Sequence, residues 1–443
     1  MGSAVTGAGL DAGQVGGPGV ELSSEEARRF VRERLRSVPL EGRSLCVVVP
    51  DSTRSCPLPL LLRGVHEAVH GRVSRLTVLI ALGTHPPMSD AQLATHLGYA
   101  ESGLAATYPG TSVVNHEWWD PDALVEVGVI PAAEVAELSG GRLTESVVVR
   151  VNRHVVEHDV VLVVGPVFPH EVVGFSGGNK YFFPGVAGRE VIDTSHWLGA
   201  LIGSARIIGT LGVTPVRALI DRAASLIPSE RLCLAAVVAS GTATLHALTF
   251  GTPEEAWARA AEVSARTHVR YLDRPVRRVL SLVSERYDEL WTAAKGMYKV
   301  EPVVADGGEV VLYAPHVREV SRTHGAAIEK VGYHCQEYFT GQWERFRDVP
   351  RSVLAHSSHL RGAGSYDPEH GERCRITVTL ATGLDEATTR ALGLEYRDPA
   401  SIDVDEWAGD PDTLVVPDAG EVLFRLGGPT VGASSAHVAP SAR

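Results

Sequence analysis

The sequence predicts an α/β protein: two α/β domains with mainly parallel sheets and the active site in the cleft between them. Three observations predict it. Short valine-rich apolar runs without strict alternation recur along the chain, and continuous apolarity marks strands covered on both faces. Helices with explicit start signals lie between those runs. The chain has 443 residues, too many for one small core, and usual domain sizes divide that length in two.

In chain order, residues 1–20 are glycine-rich with a single charge, Asp11, and cannot bury enough surface to offset ordering, so they are expected to form a disordered tail. Ser23-x-x-Glu26 is a capping box opening an amphipathic helix through Leu35, and Ser89-x-x-Gln92 is another. Thr252-Pro253 opens a third helix, with proline at its first position. Strands are expected at 45–50, 76–83, 160–167, 279–283, 309–314 and 375–381. The polar, proline-bearing stretch Asp273-Arg274-Pro275 divides an N-terminal domain, 21–273, from a C-terminal domain, 274–426, with a flexible tail at 427–443.

Composition narrows the function. A hydrophobic fraction of 44% with 21% charged residues excludes disorder throughout. The net charge of −12 disfavours phosphate backbones and anionic membranes, so neither nucleic acid nor a membrane is expected as a partner. Five scattered cysteines with no Cys-x-x-Cys pair read as reduced thiols. No apolar run approaches the roughly 18 residues of a membrane span, and the N-terminus lacks signal-peptide order. The expected location is the cytoplasm.

The chemistry collects after the strands, where open α/β sheets bind ligands. Asp51-Ser52-Thr53-Arg54 follows the first, Thr84-His85 the second and Pro169-His170 the third. The densest stretch runs from Pro169 to Lys180. Its glycines, Gly177 and Gly178 among them, let backbone amides approach an anion, Ser176 adds a hydroxyl and Lys180 an amine. It reads as a cradle for phosphate, but not a P-loop, because a single residue, Asn179, separates the glycine pair from the lysine and no Ser or Thr follows it. Asp51 alone reads equally as a turn cap. His66/His70 and His154/His158 have helical metal-ligand spacing but read as solvent-facing, and Trp343 as core packing rather than a pocket cap.

Together these residues resemble the nickel-dependent lactate racemase family, whose marks are Asp-x-Thr-Arg-x-x-Pro, Gly-Thr-His, and Pro-His before Gly-Phe-Ser-Gly-Gly-x-Lys. The chain carries Asp51, Thr53, Arg54 and Pro57, then Gly83-Thr84-His85, Pro169-His170, Gly174 to Lys180, and His196. The resemblance implies a nickel-pincer nucleotide, a pyridinium-3-thioamide-5-thiocarboxylic acid mononucleotide carrying nickel, joined covalently to Lys180. It implies His196 as the nickel ligand, His85 and His170 as the catalytic acid/base pair, and Asp51, Thr53, Ser176, Gly177 and Gly178 around the cofactor. Arg54 and Lys295 match the groups that hold the substrate carboxylate. Trp291 and Thr292 stand where a Tyr-Gln pair is expected in the substrate pocket, which points away from lactate itself. The histidines at 324, 334, 356 and 359 make the second half polar and suit a longer or more hydroxylated acid, although His356 and His359 read equally as a structural pair.

The residues suit that chemistry. A guanidinium grips a carboxylate through two parallel hydrogen bonds, and a hydroxyl proton needs a base titrating near neutrality. A turnover of about 10 per second leaves a barrier of roughly 16 kcal/mol, which removal of a carbon-bound proton beside an ionised carboxylate strains. Hydride transfer through a 2-keto acid avoids the dianion. The expected function is therefore a 2-hydroxyacid racemase or epimerase, an isomerase acting on a small 2-hydroxy acid, with cofactor maturation proteins as partners. The alternatives are a C2-epimerase of sugar acids with the same cofactor and a nucleotide- or nickel-binding protein without catalysis. A dehydrogenase with a freely exchanging nucleotide is disfavoured, because no Gly-x-Gly-x-x-Gly follows the early strands.

Overall fold

The computed structural model describes residues 12–428. The chain is mixed α/β with mainly parallel sheets. The first sheet contains β1 (Gly13–Gly16), β2 (Ser44–Pro50), β3 (Arg75–Ala81), β4 (Thr111–Asn115), β5 (Val160–Pro166), β6 (Glu230–Val238) and β7 (Leu245–Gly251), in the order β1-β7-β6-β5-β2-β3-β4. Strands β2 to β6 run parallel, while β7 is antiparallel to both β6 and β1. The second sheet contains β8 (Val276–Val283), β9 (Val304–Ala314), β10 (Thr377–Thr382), β11 (Glu395–Tyr396) and β12 (Thr413–Ala419), all parallel in the order β11-β10-β9-β8-β12. Every residue of β2 and of β5 is buried, as continuous apolarity requires.

The helix signals act as written. Ser23 and Glu26 form a reciprocal capping box at α1 (Ser24–Arg36), between β1 and β2. Helix α2 (Leu58–Val69) crosses from β2 to β3, and α3 (Asp90–Leu97) starts on the Ser89/Gln92 box. Helices α4 (Arg189–Ile202) and α5 (Pro215–Ala224) lie between β5 and β6. Thr252 caps α6 (Pro253–His268), and α7 (Arg351–Arg361) comes between β9 and β10. Among the described residues no helix is long and apolar enough to cross a membrane.

Two expectations are corrected. Residues 13–16, placed in a disordered tail, form edge strand β1 on β7. Backbone hydrogen bonds order this segment without bulky side chains, and glycine makes the approach feasible. Gly16 has φ +76°, and a Cβ there would lie 2.2 Å from the His246 carbonyl oxygen. Residues 1–11 and 429–443 of the two expected tails lie outside the described residues. The histidine pairs are not uniformly solvent-facing. His66 Nε2 meets the Pro109 carbonyl at 3.1 Å, and buried His158 meets the His154 carbonyl at 2.7 Å and Thr77 Oγ1 at 3.0 Å. His158 thus satisfies both ring nitrogens locally and His66 one of them, whereas His70 stays exposed.

Connectivity positions the site. From β2 the chain proceeds outward to β3 and β4, whereas β5 and β6 lie on the other side of β2. The strand order thus reverses between β2 and β5, and the crevice beyond their carboxyl ends is where such sheets take ligands. The residues after Asp273-Arg274-Pro275 enter β8, and the chain later returns to pair Leu423–Leu426 with Val269–Leu272.

Candidate active site

Residues following β2, β3 and β5 meet residues from the second half of the chain around one cavity of about 1040 Å³, open mouth included. Asp51, Thr53, Arg54, His85, His170, Ser176, Gly177, Lys180, His196, Trp291 and Lys295 all line it. Two of the expected site residues do not. Gly178 packs against the start of α6, where an added Cβ would lie 2.8 Å from Trp257 Cβ. Thr292 turns its hydroxyl inward to donate to the Glu289 carbonyl at 3.1 Å.

Beyond β2 the chain folds into an Asp51-centred turn. Asp51 Oδ1 accepts from the Thr53 amide at 3.1 Å and from Thr53 Oγ1 at 2.6 Å. Its Oδ2 lies 2.5 Å from His85 Nδ1. The turn cap and the site role are therefore one arrangement. Burial alone would raise the Asp51 pKa, but His85, Arg54 and Thr53 together hold it well below the usual carboxylate range. An ionised carboxylate only accepts, so His85 Nδ1 carries the proton and Nε2 keeps its lone pair. Arg54 donates from Nη1 to Thr53 O and Oγ1, both at 3.1 Å.

Beyond β5, Pro169–His170 pairs with Gly174–Phe175 and folds the cradle back over the sheet. His170 is buried, and its Nδ1 accepts from the Val172 amide at 3.1 Å with Glu171 Oε2 3.2 Å away. Burial first, then the cations Lys180, Arg54 and Lys299 and the nearby His196, push its pKa well below the usual imidazole range. Gly177 has φ +89°, and a Cβ there would lie 2.6 Å from Val167 Cγ2. The loop is stapled from below by Arg217, which sequence reasoning missed. Fully buried on α5, it donates to the Gly177 carbonyl at 3.0 Å and the Phe175 carbonyl at 2.6 Å and lies 4.1 Å from the centroid of the Trp257 ring. Its only sequence signal is an arginine amid the apolar positions of a helix.

Lys180 follows on the short turn Gly178–Tyr181, its pKa pushed down to about 8 by burial and then by Arg54. On α4, His196 Nδ1 donates to the Ile192 carbonyl at 2.7 Å, which leaves Nε2 as the available donor atom. From the second half, Lys295 is buried, with Nζ 5.0 Å from the Tyr287 ring centroid and its pKa pushed down to about 7 by burial and then Arg54. Trp291 stacks on His356 at 4.0 Å, and its ring lies 4.4 Å from that of His324. His324 in turn reaches Thr84 Oγ1 at 2.9 Å. Helix α7 packs on α4 and brings His356 and His359 to the cavity. Burial pushes His359 down to about 4, and its Nε2 has no hydrogen-bond partner. Glu171, Tyr181 and Tyr298, which the sequence did not single out, add to the polar lining. Trp343 packs on Trp197 at 5.8 Å, away from this cavity.

The fold and site thus define an α/β protein whose parallel strands deliver a half-buried lysine, a glycine cradle and two histidines to one cavity. Comparison with known proteins names the group. Residues 27–207 match the lactate racemase N-terminal domain. Over 168 residues, 37% of this chain, it is 25% identical to a lactate racemase of Lactiplantibacillus plantarum and 26% identical to one of Thermoanaerobacterium thermosaccharolyticum. The chain spans about a third of the length of these curated relatives, 35% and 34%. A crystal structure of a Thermotoga maritima protein is 32% identical, with a TM-score of 0.85 over 93% of this chain and 100% of that one. The lactate racemase apoprotein structure from Thermoanaerobacterium thermosaccharolyticum has the same fold, with a TM-score of 0.69 at 19% identity over 91% of this chain and 93% of that one. Residues 27–207 are thus similar to the lactate racemase N-terminal domain, and the fold is that of the lactate racemase apoprotein.

Proposed function

We propose that the protein is an isomerase that inverts carbon 2 of a small 2-hydroxy acid, a racemase or epimerase working through a 2-keto acid with a nickel-pincer nucleotide tethered to Lys180. The observation that carries this is the meeting of Lys180, His196, His85 and His170 in one cavity. The residues fit the group. A half-buried amine with its pKa lowered to about 8 is a good acylation target near neutral pH. Gly177 and Ser176 edge the cavity beside it, and His196 keeps a free Nε2 with its other nitrogen fixed on a backbone carbonyl, the usual orientation of a metal-binding histidine. Among the described residues no group of three or more His, Cys, Asp or Glu side chains could hold a metal ion. A metal here needs donors from the cofactor, and one soft-ligated position from His196 suits nickel.

When bound, that group supplies an acceptor and donor of hydride for carbon 2. Arg54 and Lys295 grip the substrate carboxylate. His85 or His170 takes the hydroxyl proton as the 2-keto acid forms, and after the keto acid has turned its other face the second histidine returns a proton to its oxygen. The ionised Asp51 stabilises the imidazolium formed at His85. A protein that only stored nucleotide or nickel would gain nothing from this pair.

A C2-epimerase of sugar acids is the second reading. It is favoured by the wall of His324, His356 and His359, each with its pKa pushed down by burial and therefore neutral, beside Trp291. Neutral imidazoles suit hydroxyl groups rather than a second carboxylate. Cofactor maturation proteins are the partners this reading requires, and the free cysteines suit a cytoplasmic setting.

The test is intact mass and nickel content after co-production with maturation proteins, followed by a panel of simple and polyhydroxylated 2-hydroxy acids. The expected result is a mass excess that Lys180→Ala removes, one nickel per chain, and inversion at carbon 2. An adduct that survives Lys180→Ala, or loaded protein that inverts no 2-hydroxy acid, overturns the proposal.

A further inference from the structure

The two histidines are held differently. A histidine exchanges protons at Nε2 only when Nδ1 carries a hydrogen. The neutral Nδ1–H form accepts at Nε2, and the imidazolium then gives that proton back. The neutral Nε2–H form has its lone pair at Nδ1, and releasing a proton from it makes an imidazolate. His85 Nδ1 faces an ionised acceptor, Asp51, at 2.5 Å, which selects the working form. His170 Nδ1 lies between a fixed donor and an acceptor: the Val172 amide at 3.1 Å and Glu171 Oε2 at 3.2 Å. Only the Val172 contact has hydrogen-bond geometry, so His170 rests in the idle form.

We propose that Glu171 is the positioning residue that arms His170, as Asp51 arms His85, and that loss of positive charge at Lys180 tips His170 Nδ1 from the Val172 amide to Glu171. This rests on the reading of Lys180 as the attachment point and of His170 as a proton-transferring group. Glu171 is surrounded by competing groups, His359, Lys295 and Lys180, and keeps an ionised carboxylate because of them. Lys180 is also the cation that most opposes a proton on His170, ahead of Arg54, Lys299 and His196. Acylation turns the Lys180 ammonium into a neutral amide. One competitor for Glu171 and the strongest repeller of the His170 proton then vanish together. No bond of His170 or Glu171 is made or broken, and one ring proton moves from Nε2 to Nδ1 by way of solvent. Attachment of the cofactor thereby prepares the second proton-transfer group.

The test is the tautomeric state of His170 in apoprotein labelled with 15N-histidine, read at one fixed pH from long-range 1H–15N correlations. In wild type, His85 should show a protonated Nδ1 and His170 a protonated Nε2. Lys180→Gln, a neutral stand-in for the amide, should exchange the protonated and bare 15N shifts of His170 and leave those of His85 in place. Lys180→Gln combined with Glu171→Gln should restore the wild-type pattern. A His170 pattern unmoved by Lys180→Gln, or moved equally with Glu171 replaced, overturns the proposal. In cofactor-loaded protein, Glu171→Gln should keep nickel, adduct and KM while kcat falls about 10-fold to 100-fold, and an unchanged kcat also counts against it. Loaded wild-type protein that turns over no 2-hydroxy acid would instead reject the proposed function and leave the tautomer result standing.

Discussion

Asp51 Oδ2 lies 2.5 Å from His85 Nδ1, joining the turn after the first buried strand to the loop after its neighbour. The contact connects sheet topology to chemistry, because β2 and β3 are parallel partners in register from Ser44 and Arg75 to Pro50 and Ala81. Parallel pairing brings both carboxyl-end loops to one side, and a carboxylate and an imidazole then need only short loops to meet.

Replacing Asp51 by Asn keeps the shape and removes the charge. Asp51→Asn should lower kcat about 10-fold to 100-fold with mass adduct and nickel retained. A second readout is stability against pH. The folded pKa of Asp51 lies below its unfolded value, so its contribution is present above the ordinary carboxylate pKa and is lost as pH falls through that range. Urea midpoints should therefore drop less on acidification in Asp51→Asn than in wild type.

Lys180 should react as an amine of pKa about 8. Brief treatment of apoprotein with a small acylating reagent, followed by peptide mass analysis, should give a Lys180 modification rate that rises to half its maximum near that pH. A half-maximum at the ordinary lysine value of about 10.4 would contradict the burial argument.

His196→Ala should lower bound nickel in protein matured with the cofactor, while His85→Ala and His170→Ala leave it largely in place. Metal analysis of the three variants decides this, and equal nickel in all three would dissolve the separation of roles.

Arg217→Met should remove both donors under the cradle, leaving the Phe175 carbonyl without the Arg217 donor and the Gly177 carbonyl with the Lys180 amide alone. A buried acceptor that loses its donor costs on the order of 1–3 kcal/mol, so denaturant unfolding should shift accordingly. Loading at Lys180 should fall with it, although Arg217 is not among the residues lining the cavity.

The six expected strands, now β2, β3, β5, β8, β9 and β10, and the three helix starts were legible because burial on both faces and N-capping are local signals. Asp51, Arg54, His85, His170 and Lys180 were legible because each follows an apolar run that reads as a strand. Arg217 and His324 act through partners far along the chain, Gly177 for Arg217 and Thr84 for His324. No spacing rule reaches such pairs. β1 was missed because a glycine-rich segment that is ordered by an edge has the composition of one that is not ordered at all. Gly178 and Thr292 were misplaced because a motif assigns residues to a neighbourhood, whereas backbone direction decides which of them face the cavity.

The most direct measurement follows a deuterium at carbon 2 of a turned-over 2-hydroxy acid through cofactor-loaded enzyme in ordinary water. Two histidines lining one cavity would also serve a mechanism that removes that hydrogen as a proton, so the fate of the label separates the two chemistries. Hydride transfer predicts that the deuterium largely persists in the inverted product at early conversion and slows turnover where transfer limits the rate. Extensive loss of the label to water would contradict it, even with Lys180 modified and nickel bound.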